Sequence, residues 1–382
     1  MPPSSPTPPR SGAARPVDVA GLAAELRALR KELLAERSTE PLAHLAKIER
    51  WGCACTVLGY ATAWMGPNIL SAALISQGKF TRWTMVAHHV MHRGYDRVPG
   101  VPERYTSRAF ARGARRFVDW FDWMLPEAWH EEHNVLHHYR LGELADPDNV
   151  ERNLEWLRAM KLPFSAKKLI VAVVAAGWKW VYYAPNTLAE LHKVRAKKDR
   201  TWDMPTETLL EWNKWNPLHP RGRELWSRCF LPYAAWNFAA IPALYAPLGP
   251  LAVASVLANQ LLAEVITNVH TFCVIAPNHT GLDMTRWDAP AKTSEEFYLR
   301  QIVGSTNYAC GDDLTDFLHG FLNYQIEHHV FPDLSMLEYQ RIQPRVRALC
   351  ERYGVPYVQE SVFSRVRKTV DVMIGKTSML RG

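Results

Sequence analysis

The chain has 382 residues, of which 48% are hydrophobic and 22% are charged, and its formal net charge is +7. Its mean hydropathy is only −0.21, so the hydrophobic residues must be concentrated in blocks between polar stretches, as in a membrane protein. The six cysteines contain no C-x-x-C pair, which argues against a disulfide framework or a zinc-thiolate site and favours buried, reduced thiols.

The N-terminal region divides into two segments. Residues 1–16 are rich in proline and serine and lack an apolar core, so we predict a disordered tail. Residues 17–50 have helical periodicity, with leucines on one face and Arg and Glu on the other, which predicts an amphipathic helix on a protein or membrane surface. We expect the main domain at residues 51–355 and a C-terminal tail at 356–382.

The first apolar block covers residues 51–78, which include neither a charged residue nor a histidine. At ~1.5 Å per residue this block would form about 42 Å of helix, which exceeds a bilayer core of about 30 Å. Pro67 lies near its middle. The block is therefore either one long tilted span or a short hairpin.

Two later apolar regions extend the membrane pattern. Residues 229–247 and 250–277 are predicted to be two spans separated by the turn sequence LYAPLGP. Residues 169–189 contain Lys179 and clustered aromatic side chains, which is typical of an interfacial segment. The predicted fold is an all-α integral membrane protein with about four transmembrane helices, interfacial helices and a cytosolic helical cap.

Most histidines lie outside the apolar blocks, and they are clustered. Eleven of the fifteen fall into four short groups: His88, His89 and His92; His130, His133, His137 and His138; His270 and His279; His328 and His329. Residues four apart on an α-helix point the same way, as in the pairs His88/His92 and His133/His137. Several adjacent rings would repel one another when protonated and would need partners when buried. Metal coordination removes both problems.

The number of histidines bears on the kind of metal site. Neutral imidazole binds iron, zinc and copper well. Zinc with three or four ligands would leave about half of the clustered rings unused, and the zinc-protease motif H-E-x-x-H is absent. Two irons sharing eight or nine nitrogens fit best.

Three of these groups, in order along the chain, resemble the histidine boxes of the membrane-bound fatty acid desaturase family. That family's pattern is H-x(3,4)-H, then H-x(2,3)-H-H, then H or Q followed by x(2,3)-H-H. The strings HHVMH, HNVLHH and QIEHH match it, and the resemblance covers roughly residues 50–350. It implies that the catalytic, iron-ligating residues are His88, His92, His133, His137, His138, His328 and His329, with Gln325 beside the irons in place of the first histidine of the third box.

The resemblance also implies the reaction. Dioxygen and two electrons remove two hydrogens from adjacent carbons of a long acyl chain, giving a double bond and two waters. The substrate is a membrane lipid or an acyl thioester, and Gln325 resembles the acyl-lipid type. Because the haem-domain motif H-P-G-G is not found, electrons are expected from a separate ferredoxin or cytochrome-type carrier. We predict no nucleic-acid partner.

One further ligand is expected near the end of the last span, as in other family members. His270 lies well inside the apolar run, where a hydrogen-bonded ring explains it, whereas His279 follows the run at the membrane boundary. We favour His279. Glu131, Glu132 and Glu327 adjoin the ligands and are candidate acceptors for ring N–H groups.

A shared metal centre constrains the topology. All boxes must face the same side, so an even number of crossings must separate His138 from His328, and the two later spans satisfy this. Seven arginines follow the first box, which predicts a cytosolic face, in the plasma membrane if the protein is bacterial. The same arginines also suit lipid phosphates or an acidic electron carrier. They are Arg93, Arg97, Arg104, Arg108, Arg112, Arg115 and Arg116.

Two other functions compete with desaturation. A hydroxylase or ketolase on the same diiron scaffold differs only in whether the carbon radical loses hydrogen or rebinds oxygen. A membrane metal transporter or sensor would also use clustered histidines. The position of most histidine groups outside the apolar blocks and the small number of spans argue against a transporter.

Overall fold

A computed structural model describes residues 17–198 and 211–382, so the predicted tail at 1–16 lies outside the described residues. The described part of the chain is mostly helical, with one short pair of strands. This confirms the all-α class in its main features.

The first apolar block forms a hairpin. Helix α1, Val19–Ala35, is followed by the two arms, α2 at Glu40–Ala63 and α3 at Ile69–Phe80. The arms approach closely at Gly59, where a Cβ atom would lie 2.8 Å from Cγ1 of Ile75. The side chain of Asn68 caps α3 by accepting a hydrogen bond from the Ser71 N–H at 2.8 Å. Of the two alternatives for this block, the structure has the hairpin.

Two π-helices position the first two histidine groups. Helix α3 continues through a π-helix, Thr81–Ala87, into α4, His88–Met91. Helix α5, Pro126–Trp129, continues through a π-helix, His130–His137, into α6, His138–Arg140. A π-helix has i→i+5 hydrogen bonds and often marks a functional site. An α-helical spacing rule therefore describes the second group incompletely.

The region around the predicted interfacial segment is also helical. It contains α7, Val150–Asn153; α8, Glu155–Ala159; α9, Phe164–Ala176; and α10, Ala184–Lys198, with a π-helix at Lys179–Tyr183 between the last two. Leu169 and Val173 on α9 are exposed apolar side chains. Contact of this segment with lipid stays a prediction.

The predicted later spans differ in regularity. Residues 220–243 form α11, Pro220–Glu224; α12, Leu231–Ala234; and α13, Ile241–Ala243, joined by π-helical turns, whereas α14, Pro250–Ile275, is regular. Among the described residues, one helix, Pro250–Asn278, is long and apolar enough to cross a membrane. The total of about four spans therefore stays a prediction. Ser255 and Asn259 of α14 donate hydrogen bonds to the Ala63 carbonyl at the hairpin turn.

The remaining elements form a helical cap. They are α15, Ser294–Val303; α16, Asp313–Leu318; α17, Gln325–Val330; α18, Met336–Tyr353; α19, Val362–Met373; and the parallel strands β1, Thr285–Arg286, and β2, Leu380–Arg381. Helix α1 packs on α15 and α18 and buries Leu22, Leu26 and Leu29. The surface under this amphipathic helix is therefore protein.

The C-terminal segment 356–382, predicted as a tail, is packed into this cap through α19. The guanidinium of Arg365 is fully buried and donates to both oxygens of Asp283 at 2.8 Å and to the Thr280 carbonyl at 2.9 Å. These contacts tie α19 to the chain that follows α14. Apolar side chains recur at helical spacing in this segment, at Val362, Val366, Val370 and Met373, and this pattern was the available signal for the helix.

Candidate metal centre

The first box lies at the C-terminal end of the continuous helix formed by α3, the π-helix Thr81–Ala87 and α4. His88 and His92 are buried, and their ring centroids are 4.9 Å apart. Both rings contact Trp129 edge-on, at 5.6 and 5.7 Å between centroids. The i, i+4 spacing thus brings the two rings to one face, as predicted.

The second box lies on the π-helix His130–His137 and at the start of α6. His133 is four residues before His137 and five before His138, and all three side chains are buried. In a π-helix each backbone N–H bonds to the carbonyl five residues earlier, so side chains five residues apart lie close to the same face. His138 is therefore aligned with His133 almost as well as His137 is. Asn134 on the same turn donates to the Met91 carbonyl at 3.0 Å, which links the second box to the first.

The third box forms α17, in which all six residues are buried. The Nε2 atoms of His328 and His88 are 3.0 Å apart, and those of His329 and His279 are 3.2 Å apart. His279 follows the short 3₁₀ turn after α14. The structure therefore brings His279 to the boxes, whereas His270 hydrogen bonds to the Leu318 carbonyl at 2.8 Å and stacks on Phe80.

The buried rings divide into two adjoining groups. The ligand atoms within each group lie within 4.8 Å of one another, and the groups are His88, His92, His133 and His328, and His137, His279 and His329. His138 lies between them, with its ring centroid 4.4 Å from that of His92 and 4.3 Å from that of His329. Two groups joined by a shared neighbour suit two metal ions.

Hydrogen bonds on the outer ring nitrogens orient several of these histidines. Nδ1 of His137 lies 2.9 Å from Asp146 Oδ1, and Nδ1 of His279 lies 3.0 Å from the Gly304 carbonyl. Nδ1 of His328 lies 3.1 Å from the Tyr339 hydroxyl, which itself donates to the Phe331 carbonyl. These acceptors place the proton on Nδ1, so the Nε2 lone pairs point inward. Nδ1 of His329 is held in the same way by Oε1 of Gln301 at 3.1 Å.

Electrostatics also favour coordination. Burial, followed by repulsion from neighbouring rings, lowers the pKa of six histidines, so these rings are neutral: His88, His92, His133, His138, His328 and His329. Nε2 of His92 and both ring nitrogens of His133 and His138 are buried without a hydrogen-bond partner. Such orphaned nitrogens are costly unless a metal ion satisfies them. The residues present therefore fit a pair of imidazole-ligated metal ions.

Gln325 lies at the start of α17 and is 4% exposed. Its Oε1 atom is buried without a hydrogen-bond partner. The carbonyl oxygen is thus free to face a metal or a metal-bound ligand.

The glutamates that adjoin the boxes do not hold the ring nitrogens. Glu327 accepts hydrogen bonds from Asn307 Nδ2 and the Tyr357 hydroxyl, and burial raises its pKa to about 7. The carboxylate that holds a ring is Asp146, which sequence reasoning missed. The string ADPD after the second box was the available signal, since Asp146 is eight residues beyond His138.

Two further carboxyl groups lie beside the second box. Glu132 is fully buried, and burial, with repulsion from Asp148, raises its pKa well above the ordinary value. Burial raises the pKa of Asp148 to about 6. A carboxyl oxygen of Asp148 lies within 4.8 Å of ligand atoms of His133 and His137.

Comparison with known proteins decides the family. The family model described as fatty acid desaturase matches residues 61–361, well over half of the chain. The chain belongs to the fatty acid desaturase family. It is accordingly an oxidoreductase, as its sequence predicted.

Relatives of this desaturase include one named for an acyl-CoA substrate and two named for acyl lipids. It is 26% identical over 376 residues to an NADPH-dependent stearoyl-CoA 9-desaturase of Mycobacterium tuberculosis, covering 92% of this chain and 78% of the relative. It is 25% identical over 357 residues to an acyl-lipid (8-3)-desaturase of Rebecca salina, covering 92% and 74%. An enzyme of the same name from Mortierella alpina is 23% identical over 263 residues, covering 64% and 52%.

The desaturase has an apolar cavity that reaches both histidine groups, which we call the acyl cavity. His88, His133, His137, His279 and Gln325 line it where it meets the metal centre. Most of its remaining wall is aromatic or aliphatic, contributed by Trp83, Leu157, Val171, Trp178, Tyr183 and Phe272. An apolar cavity with a few converging polar groups suits a long hydrocarbon chain.

Proposed function

We propose that this protein is an oxygen-dependent diiron desaturase that inserts a double bond into a long acyl chain carried on a lipid. The observation that supports this most is the meeting of two histidine groups with one apolar cavity. Alkane C–H bonds are unreactive towards protein side chains, so a metal pair must supply the oxidising chemistry. Per turnover, the acyl chain loses two hydrogens and dioxygen takes up two electrons and two further protons, giving two waters.

The protein's own residues hold and enclose the reacting groups. The two histidine groups and His138 would hold the irons, and Gln325 would lie beside them. Asp146, Tyr339 and Gln301 keep the ring Nε2 atoms directed inward. The apolar wall positions the acyl chain and excludes water, which protects the oxidising centre from side reactions.

The substrate carrier is the finer part of this proposal. The Q-I-E-H-H third box favours an acyl lipid, and relatives named acyl-lipid desaturases agree with that. An acyl-CoA substrate is the second candidate, because one relative is named a stearoyl-CoA desaturase and covers the chain equally well.

A separate electron carrier would complete the reaction. Exposed arginines follow the first box along the chain, among them Arg93, Arg108 and Arg112, and provide a basic surface. An acidic carrier of ferredoxin or cytochrome type would be attracted to it. The same surface would face the cytosol under the positive-inside rule.

Expression in a host with saturated lipids tests this function. We expect new unsaturated fatty acids by gas chromatography and mass spectrometry, and about two irons per purified chain. His133→Ala and His328→Ala should remove both the product and the iron while the protein stays in the membrane fraction. Hydroxylated or keto products in place of alkenes would contradict desaturation, and full activity of His328→Ala would contradict the metal centre.

A further inference from the structure

The loop that carries His279 is held by polar contacts from other parts of the chain. It begins at the 3₁₀ turn Ala276–Asn278, which follows α14. Asn278 is fully buried, and its side-chain amide donates to the Val274 and Leu322 carbonyls at 3.1 and 3.0 Å. The backbone just before His279 is therefore fixed both to the end of α14 and to the chain that leads into the third box.

Arg365 of α19 binds the backbone on both sides of His279. Its Nε–H donates to the Pro277 carbonyl at 3.3 Å, and an Nη2–H donates to the Thr280 carbonyl at 2.9 Å. The hydroxyl of Thr369, one helical turn later on the same face of α19, donates to the same Thr280 carbonyl at 2.9 Å. Arg365 and Thr369 are both 0% exposed. Helix α19 thus holds the carbonyl two residues before His279 and the carbonyl one residue after it.

The guanidinium of Arg365 is itself fixed in position. It donates to both oxygens of Asp283 at 2.8 Å. Lys368 donates to Asp283 at 2.7 Å and to Glu360 at 2.6 Å, so two cations and two carboxylates balance beside the loop. A Cβ atom at Gly281 would lie 2.7 Å from Nη2 of Arg365, which shows how closely the loop backbone passes the guanidinium. Movement of Arg365 would therefore move the loop with it.

We propose that Arg365 is a positioning residue of the metal centre, which holds His279 where its ring completes the second histidine group. The inference rests on the proposed function, because it assumes that this group binds an iron. A buried ion pair is weak evidence for a role in stability alone, since well-packed apolar residues often replace one without loss. A planar guanidinium has five donors in a fixed arrangement, so it can hold two carbonyls and a carboxylate at set relative positions. Through these carbonyls Arg365 sets the position of His279 relative to His137 and His329.

The test measures iron retention by the purified full-length protein against a graded chelator, in a double-mutant cycle. Arg365→Met leaves Asp283 paired with Lys368 and removes the donors to the loop. It should reduce the chelator concentration that removes the more weakly held iron at least about tenfold, as loss of a group that orients a ligand typically does. In a His279→Ala background the ring to be positioned is absent, so the same substitution should leave retention of the remaining iron unchanged.

Arg158→Met is the matched control. Arg158 donates to the Val372 and Thr377 carbonyls and to the Ser378 hydroxyl, so it ties the end of α19 and the chain after it rather than the carbonyls beside His279. This variant should lower the melting temperature and leave iron retention unchanged. Thr369→Val is nearly isosteric and replaces Arg365→Met if the latter does not fold, and it should weaken iron retention in the same direction.

The outcomes separate a positioning role from a structural one. Iron retention equal to that of the wild type in Arg365→Met, or in Thr369→Val where it replaces that variant, overturns the inference. An equal loss with and without His279 also overturns it, because Arg365 would then act through general stability. The expected pattern without any alkene product would overturn the proposed desaturation and leave this inference standing. A wild type that holds no iron would overturn both.

Discussion

At the scale of single residues, the centre depends on which nitrogen of each ring carries the proton. Four rings, His137, His279, His328 and His329, have their Nδ1 atoms engaged by acceptors outside the centre. The sequence predicts the rings, because the boxes are local strings. It does not predict Tyr339 or Gln301, because those acceptors come from α18 and α15, which only the folded chain brings close.

The two histidines near the end of the last apolar run, His270 and His279, provide the first prediction. His279→Ala should lose iron and turnover, because it removes a member of the second group, whereas His270→Ala should keep both. His270 has its own hydrogen bond to the Leu318 carbonyl, outside the centre. Iron content per chain and product formation measure the difference. Loss of iron in His270→Ala with retention in His279→Ala would refute the assignment.

Asp146 provides the second prediction. Asp146→Asn removes the charged acceptor that orients His137, and such changes typically lower metal affinity about 10- to 100-fold. Iron retention against a graded chelator measures the loss. Asp96→Asn is a matched control, because Asp96 also binds a loop through Ser107 but contacts no histidine of the centre. Equal iron retention in the two variants would contradict the role of Asp146.

At the scale of elements, the π-helices explain where the α-helical i, i+4 spacing rule fails to predict which side chains lie together. The i, i+4 rule predicts the pairing of His133 with His137, but His138 would point away from them on a regular α-helix. The π-helix His130–His137 brings His138 into the space between the two groups. Apolar periodicity does not reveal such a helix, which in the structure packs against α10 and is tied to α4 by the hydrogen bond from Asn134 to the Met91 carbonyl.

The attachment of α1 to the third-box region provides the third prediction. Arg37, which follows α1, is 4% exposed, donates to the Asp333 carbonyl at 2.9 Å and lies 3.4 Å from the Glu338 carboxylate. Arg37→Met should lower the free energy of unfolding by about 1–3 kcal/mol, because it leaves buried polar groups unpaired. Thermal unfolding in detergent measures this change.

Arg27→Met is the control for that substitution. Arg27 lies on α1 itself, and its ion pair with Glu295 is exposed, so its loss should cost less than about 1 kcal/mol. A larger loss of stability in Arg27→Met than in Arg37→Met would show that α1 is held mainly by its exposed charges.

At the scale of the whole molecule, the centre concentrates many neutral rings in one buried volume. The family and the reaction type are predictable from three short strings. The number of membrane crossings is not, because apolar composition alone does not separate a spanning helix from a buried one, and among the described residues one helix, Pro250–Asn278, is long and apolar enough to span.

Removal of iron provides the fourth prediction. Burial lowers the pKa of six box histidines below the ordinary value of about 6.5, so these six rings bind fewer protons in the folded metal-free protein than in the unfolded chain. The stability that these rings contribute is fully present above about pH 6.5 and is lost as the pH is lowered. The melting temperature, measured from pH 8 to pH 5, should drop steeply.

Replacing titrating rings checks the cause of that drop. In a His92→Leu/His138→Leu variant two of the six groups no longer titrate, so the metal-free protein should show a shallower fall with pH. A melting temperature independent of pH in the metal-free wild type would contradict the neutral-ring account.

The pairing of His88 with His328 spans 240 residues of chain. At roughly 5–20 residues per second, a ribosome needs roughly 10 to 50 s to synthesise the second partner after the first. During that interval the first two boxes are present without the third, and His279 is present without His329. If the protein holds two irons as proposed, the complete set of ring nitrogens exists only when synthesis is nearly complete, and we expect iron to be loaded after that point.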